Sequence, residues 1–224
     1  MIRLCDVKKC YYLANSKRIT VIDKLSLHIK KGEFVAIMGR SGTGKSTLLN
    51  ILGCLDTPTS GSYYLDNLSI ANMSGSELAN IRKRYIGFIF QSFHLLPKHN
   101  IIDNIALPLV YHGMQKIDRE TLALEFLTKV GLTQYSKYLP TQLSGGQQQR
   151  IAIARALVTE PNLIIADEPT GNLDTLSTAN IMELFMEMHD LGKTIILVTH
   201  DAEVAQYAQR TIHINDGKIQ STCM

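Results

Sequence analysis

The chain has 224 residues, 45% hydrophobic and 19% charged, a composition that can bury a substantial core and excludes disordered, collagen-like and coiled-coil classes. Its formal net charge of +3 is too small to argue for nucleic acid or an anionic membrane surface as a partner. Four dispersed cysteines, Cys5, Cys10, Cys54 and Cys223, contain no CxxC pair, so neither a zinc site nor a disulfide framework is indicated and a cytoplasmic setting is expected.

The N-terminal MIRLCDVKKC has no apolar h-region, which predicts a chain without a signal peptide. No apolar run approaches the roughly 20 residues that a membrane helix needs. Leu4–Tyr12 and Thr20–Ile29 alternate as strands, as do Gly61–Leu65 and Ile86–Phe90, and together they predict an antiparallel β-subdomain. Phe34–Met38 is instead a continuous apolar run, the pattern of a parallel strand buried on both faces. Gly39-Arg40-Ser41-Gly42-Thr43-Gly44-Lys45-Ser46 follows it and opens a helix over Lys45–Leu52. This is the GxxxxGK[ST] arrangement, in which glycines turn successive N–H groups inward around phosphate oxygens. The helix adds its N-terminal partial positive charge, Lys45 spans the β- and γ-phosphates, and the Ser46 hydroxyl ligates Mg²⁺.

Between Gln91 and Leu143 the sequence predicts a helix-rich insertion, with the clearest helical spacing over Ile117–Val130 and breaks at Pro97, Pro108, Gly113 and Pro140. Leu143-Ser144-Gly145-Gly146-Gln147 then leads into a helix beginning at Gln148-Gln149-Arg150, a second glycine-rich helix entrance suited to an anion. Leu163–Ala166 predicts another buried strand, which delivers Asp167 and Glu168 to the C-terminal edge of the sheet, where open α/β folds bind ligands. Adjacent strand residues point to opposite faces, so the two carboxylates divide the work. Asp167 is expected to hold Mg²⁺ and Glu168 to polarise the attacking water, which makes the chain a hydrolase. A helix over Thr175–Asp190, a strand at Ile195–Val198 leading to His200-Asp201, and a short helix ending near Ala208 complete the strand–loop–helix units. The Asn215-Asp216-Gly217 turn predicts a closing hairpin.

The ordered set GRSGTGKS, Gln91 in FIFQSF, LSGGQQQR, IIADEP, Gly171-Asn172-Leu173-Asp174 and His200 in LVTHD resembles ATP-binding-cassette (ABC) ATPases over essentially the full length. The resemblance implies an α/β fold of P-loop NTPase (RecA-like) type, a parallel-sheet core with an antiparallel β-subdomain and a helical insertion. It divides one ATPase domain, 1–224, into a β-subdomain (about 1–35 and 55–90), a core (about 36–54 and 160–224) and a helical subdomain (about 92–158). ATP and Mg²⁺ are the implied cofactors. Gln91 is expected to touch Mg²⁺ and the attacking water, and Ser144, Gly145, Gly146 and Gln147 the γ-phosphate held by an opposite copy. Asp174 is expected in a loop crossing that dimer interface, and His200 at the γ-phosphate beside Glu168. Adenine is expected on an aromatic ring, Tyr12 by comparison with the family, with adjacent Tyr11 the alternative; Thr47 completes the cradle, and Arg40 and Thr43 are its less informative members. The other six histidines, His28, His94, His99, His112, His189 and His213, are read as structural or solvated.

The signature loop, Leu143–Gln147, and the phosphate loop each look like half a site, so two chains arranged head to tail with C₂ symmetry would close two sites. The stretches NILGCLDTPTSG and RKRYIGFIFQSFHLLP resemble the MacB/LolD/FtsE-type group. That resemblance implies the ATPase of a macrolide, peptide or lipoprotein export system, on the inner face of the membrane through a permease of MacB/LolC-E/FtsX type. The permease contact is expected in the groove near His94, Leu95, Leu96 and Pro97. An importer subunit, or a soluble non-transport ABC ATPase, is the alternative.

Overall fold

The computed structural model describes residues 1–12 and 18–223. Among the described residues, ten strands fall in two sheets. One has β1 (Ile2–Tyr12), β2 (Arg18–Ile29), β4 (Ser60–Leu65) and β5 (Leu68–Ser69), in the order β2-β1-β4-β5 and antiparallel throughout. The other has β3 (Phe34–Met38), β6 (Ile86–Phe90), β7 (Leu163–Asp167), β8 (Thr194–Val198), β9 (Arg210–Asn215) and β10 (Lys218–Cys223). Its order is β10-β9-β3-β8-β7-β6, parallel except for the closing β9–β10 hairpin.

The parallel strands read as unbroken apolar runs because both faces are covered. Val35, Ile37, Ile165, Ile196 and Val198 pack toward the four-stranded sheet and helix α1 (Lys45–Leu52). Their strand neighbours Phe34, Ile164, Ala166, Ile195 and Leu197 pack toward Ile181, Met182, Phe185 and Met188 of α6 (Thr175–Asp190). Each such fully buried side chain contributes about 1.5–3 kcal/mol. A third cluster joins α3 (Ile101–Tyr111), α4 (Lys116–Lys129) and α5 (Gly145–Leu157). Helix α5 belongs to both worlds: Ile153 and Ala156 face the sheet cluster, whereas Ile151, Ala154 and Val158 face α3 and α4. It therefore bridges the helical insertion and the sheet.

Two sequence expectations need correcting. Ile86–Phe90 is not part of an antiparallel subdomain; it is the edge strand β6 of the parallel sheet, with Ile86 opposite Leu163 and Phe90 opposite Asp167. Both of its faces are covered, Ile86 and Phe88 against the cluster of the smaller sheet and Ile89 against that of α6, while Phe88 and Phe90 stay half-exposed. The segment before it, included in the expected β-subdomain without an element of its own, is helix α2 (Gly75–Tyr85), started by a reciprocal capping box between Ser74 and Glu77. Helix α5 begins at Gly145, three residues before the position expected from sequence. Helix α7 (Ala202–Ala205) completes the set.

The β9–β10 turn fixes the floor of the phosphate loop. Gly217 N–H donates to Thr43 O at 3.1 Å, and Gly217 O accepts from Asp23 N–H at 3.2 Å. Gly217 sits at φ 72, and a Cβ there would overlap the backbone carbonyl of Val21. Gly217→Ala is therefore expected to cost ~2 kcal/mol and to lower the thermal midpoint by roughly 4–8 °C. An unchanged midpoint in a melting scan would show that this turn does not hold the loop.

Candidate functional site

The phosphate loop, 39–46, leaves the C-terminal end of β3 and enters α1 through Gly44, which has φ 99 and lies 3.0 Å, through its notional Cβ, from Val21 O. Only glycine fits this left-handed, crowded position. Helix α1 has no side-chain N-cap and no acidic residue in its first turn, so its leading N–H groups remain available to an anion. Lys45 Nζ donates back to Gly39 O at 2.7 Å and Arg40 O at 2.9 Å, and Thr43 Oγ1 donates to Arg40 O at 2.9 Å. The lysine is thus folded over the loop that it would share with a phosphate. Ser41, Gly42 and Ser46 are exposed, and Thr47 is half-buried beside them.

Asp167 ends β7 between Phe90 of β6 and Val198 of β8. Burial raises its pKa first, the Glu168 charge raises it further, and the Lys45 ammonium draws it back down. Glu168 follows in the left-handed region at φ 47, with its N–H bonded to Val198 O at 2.8 Å. The two carboxylates are parted by this turn and not by strand alternation, the reason expected from sequence. A non-glycine residue in that region costs ~1–3 kcal/mol. Glu168 Oε1 lies 2.8 Å from Nδ1 of the exposed His200, and Thr199 Oγ1 donates to Oε2 at 3.4 Å.

Gln91 stands one residue beyond β6. Its Nε2 donates to Asn172 Oδ1 at 3.4 Å, and Asn172 Nδ2 donates to Gln91 O at 3.1 Å. A Cβ on Gly171 would come within 2.7 Å of Gln91 Nε2, so the Gly171-Asn172 pair shapes the berth of this side chain. Asn104, fully buried in α3, accepts from Leu96 N–H at 2.7 Å and donates to Leu96, His99 and Asn100 carbonyls, and so wraps the loop that follows. Neither Asn172 nor Asn104 had a role in the sequence reading.

Ser144 caps α5 reciprocally with Gln147: Ser144 N–H donates to Gln147 Oε1 at 2.9 Å, and Gln147 N–H to Ser144 Oγ at 3.4 Å. Gly145 packs near Leu173 and Phe93, and Gly146 near Ser177. Asp174 caps α6, accepting from Ser177 N–H at 2.9 Å and Ser177 Oγ at 2.8 Å, and these bonds lower its pKa. No hydrogen bond among the described residues joins 144–147 to the phosphate loop. The structure thus gathers Lys45, Ser46, Asp167, Glu168, His200 and Gln91 around one sheet edge, while Ser144–Gln147 and Asp174 form a separate group beside Gln91.

Of the two tyrosines, Tyr11 donates its OH to Asp56 Oδ2 at 3.0 Å and lies under Lys9 Nζ, 5.0 Å from the ring centroid. Tyr12 is 69% exposed. A groove of about 840 Å³ opens between α2, β6 and α3, lined by Leu55, Phe88, Phe90, His94, Pro108 and Tyr111 among others. Of the four residues expected there, His94 lines it; Leu95 packs instead on the helical cluster, and Leu96 and Pro97 lie outside.

A family model described as ABC transporter matches residues 22–171. The chain is 50% identical over 219 residues to an uncharacterized ABC transporter ATP-binding protein, YvrO of Bacillus subtilis strain 168, covering 98% of this chain and 95% of that one. It is also 50% identical over 219 residues to the macrolide export ATP-binding/permease protein MacB of Chlorobaculum tepidum. That match covers 98% of this chain and 33% of MacB, so the chain spans about a third of the longer protein. Among solved structures, the dimeric post-hydrolysis state of the ATP-binding cassette MJ0796 bound to ADP and Pi aligns with a TM-score of 0.92. The two are 43% identical, and the alignment covers 100% of this chain and 98% of the other.

Asp167 gives this geometry a pH signature. A carboxyl with a raised folded-state pKa holds its proton longer folded than unfolded, so stability falls as pH rises from the ordinary carboxylate value of about 3.9 to the raised one. At neutral pH the ionised side chain therefore costs stability. Asp167→Asn is expected to melt higher than the parent chain at pH 7 without nucleotide, and to lose that advantage below about pH 4. A variant that melts lower at pH 7 would contradict the burial of this charge.

Proposed function

Because the chain belongs to the ABC transporter family of ATP-binding cassettes, we propose that it is the ATP-hydrolysing subunit of an exporter working through a separate membrane permease. The observation that carries the hydrolytic part is the Glu168–His200 contact of 2.8 Å at the same sheet edge as the phosphate loop. Lys45 exchanges its two loop carbonyls for the β- and γ-phosphates, and the leading N–H groups of α1 take the remaining oxygens. Glu168, held by His200 and Thr199, accepts a hydrogen bond from the attacking water, with Gln91 beside it. The exposed Tyr12 ring is the adenine platform, since the Tyr11 phenol is committed to Asp56.

A divalent cation fits this site. Asp167 is a partly buried carboxylate pressed by a second negative charge, and Ser46 Oγ and Gln91 are the neutral oxygen donors nearest in role. Mg²⁺ takes one or two carboxylates, hydroxyls and substrate phosphates, and needs no larger acidic cluster. When bound, it neutralises charge developing on the β- and γ-phosphates.

Two copies complete the site. Residues 92–158 carry Ser144, Gly145, Gly146 and Gln147 as one unit to the γ-phosphate gripped by the partner's 36–54 and 160–224, and Asp174 lies at the seam. The C₂ operation makes both sites alike. The aromatic groove between α2, β6 and α3 receives a segment of the permease. No helix among the described residues is long and apolar enough to cross a membrane, consistent with a motor held at the inner face by that partner. The export reading is preferred to import because the permease-fused relative MacB is named for macrolide export.

Glu168→Gln is expected to bind Mg-ATP, to lose turnover by about 10²–10⁴-fold, and to elute as a dimer in its presence. Lys45→Ala is expected to abolish ATP binding or turnover. Wild-type hydrolysis in Lys45→Ala, or a monomeric Glu168→Gln at saturating Mg-ATP, would overturn the assignment.

A further inference from the structure

Helix α5 sends two polar side chains away from the signature loop toward the ends of adjacent core strands. Gln149 is fully buried; its Nε2 donates at 2.6 Å to Pro169 O, one residue after the left-handed Glu168. Its Oε1 has no hydrogen-bond partner among the described residues, so the amide is kept there for the one bond it makes. Arg155 donates Nη1 to His94 O at 2.6 Å and Nη2 to Phe93 O at 2.7 Å. Burial lowers its pKa with no carboxylate contributing. Phe93 and His94 are consecutive left-handed residues, φ 57 and 49, and follow Gln91 by two and three positions. Such turns of ordinary residues persist only where their surroundings hold them. The Phe93 ring also reaches the signature loop, with Cζ 3.7 Å from a notional Cβ on Gly145.

We propose that Gln149 and Arg155 are positioning residues through which α5 holds the turns that aim Glu168 and Gln91. The proposal rests on the reading that those two side chains act on ATP. Neither Gln149 nor Arg155 touches the reacting atoms; each acts on backbone carbonyls of a left-handed turn. A guanidinium bridging two successive carbonyls fixes both peptide planes, which a single ammonium cannot do. Because the same helix begins with Ser144–Gly146, engagement of those residues by a second copy's nucleotide is passed to both turns at once.

The test uses the full chain and steady-state Mg-ATP hydrolysis. Arg155→Lys keeps the charge and loses the bridge; Gln149→Met keeps length and burial and loses the donor. Each is expected to lower kcat about tenfold or more at unchanged KM. In a Gln91→Ala background, Arg155→Lys is expected to lower kcat no further, because the arginine acts through Gln91. Equal losses in both backgrounds, or wild-type kcat in Arg155→Lys and Gln149→Met beside an impaired Gln91→Ala, overturn the proposal. Wild-type turnover in Gln91→Ala itself removes the Gln91 reading, and the Arg155 half of the proposal falls with it. If Arg155→Lys does not fold, Gln149→Met decides, and wild-type kcat there overturns the proposal.

Discussion

A parallel sheet buried on both faces can place polar groups only where its strands end, and that constraint organises this molecule. Ile164 and Ala166 of β7 and Ile195 and Leu197 of β8 press on α6, whereas Ile165, Ile196 and Val198 press on α1 and the smaller sheet, so neither face can host a charge. Everything with chemistry collects at one edge: the phosphate loop after β3, Gln91 after β6, Asp167 and Glu168 at the end of β7, His200 beyond β8. Parallel pairing then sets their spacing, with Phe90, Asp167 and Val198 in one row across three strands.

Turning the chain sharply at that edge requires left-handed backbone at Gly44, Glu168, Phe93 and His94. Glycine takes such a conformation freely, whereas each of the other three costs ~1–3 kcal/mol, which the packed sheet and α5 offset. These turns set Glu168 against His200 and present the Phe93 and His94 carbonyls to Arg155. The same turns are tied to a helix shared with the α3–α4 cluster.

Much of this was legible in continuous stretches of sequence. Phe34–Met38, Leu163–Ala166 and Ile195–Val198 announce two-sided burial, and the glycine pattern of 39–46 carries its own phosphate chemistry. Ile86–Phe90 is a short run whose pairing the sequence does not record: its parallel partner, Leu163–Asp167, lies more than 70 positions away. Helix α2 was missed because it is polar and half-exposed, and its capping box is its clearest mark. The contacts of Asn104, Asn172, Gln149 and Arg155 are not legible, even where Asn172 and Gln149 stand in motifs, since each acts on the backbone or side chain of a loop whose partner is set by the fold. A contact between Arg155 and His94 O spans 61 positions, and no periodicity records it.

The separation of the signature group, 144–147, from the phosphate loop is the observation on which the proposed two-copy site rests. The specific rate of Mg-ATP hydrolysis, measured per chain across a hundredfold dilution, tests it most directly. The account predicts a rate per chain that rises with chain concentration and then levels off, as sites form only between copies. A rate per chain that stays constant down to the most dilute sample would contradict it.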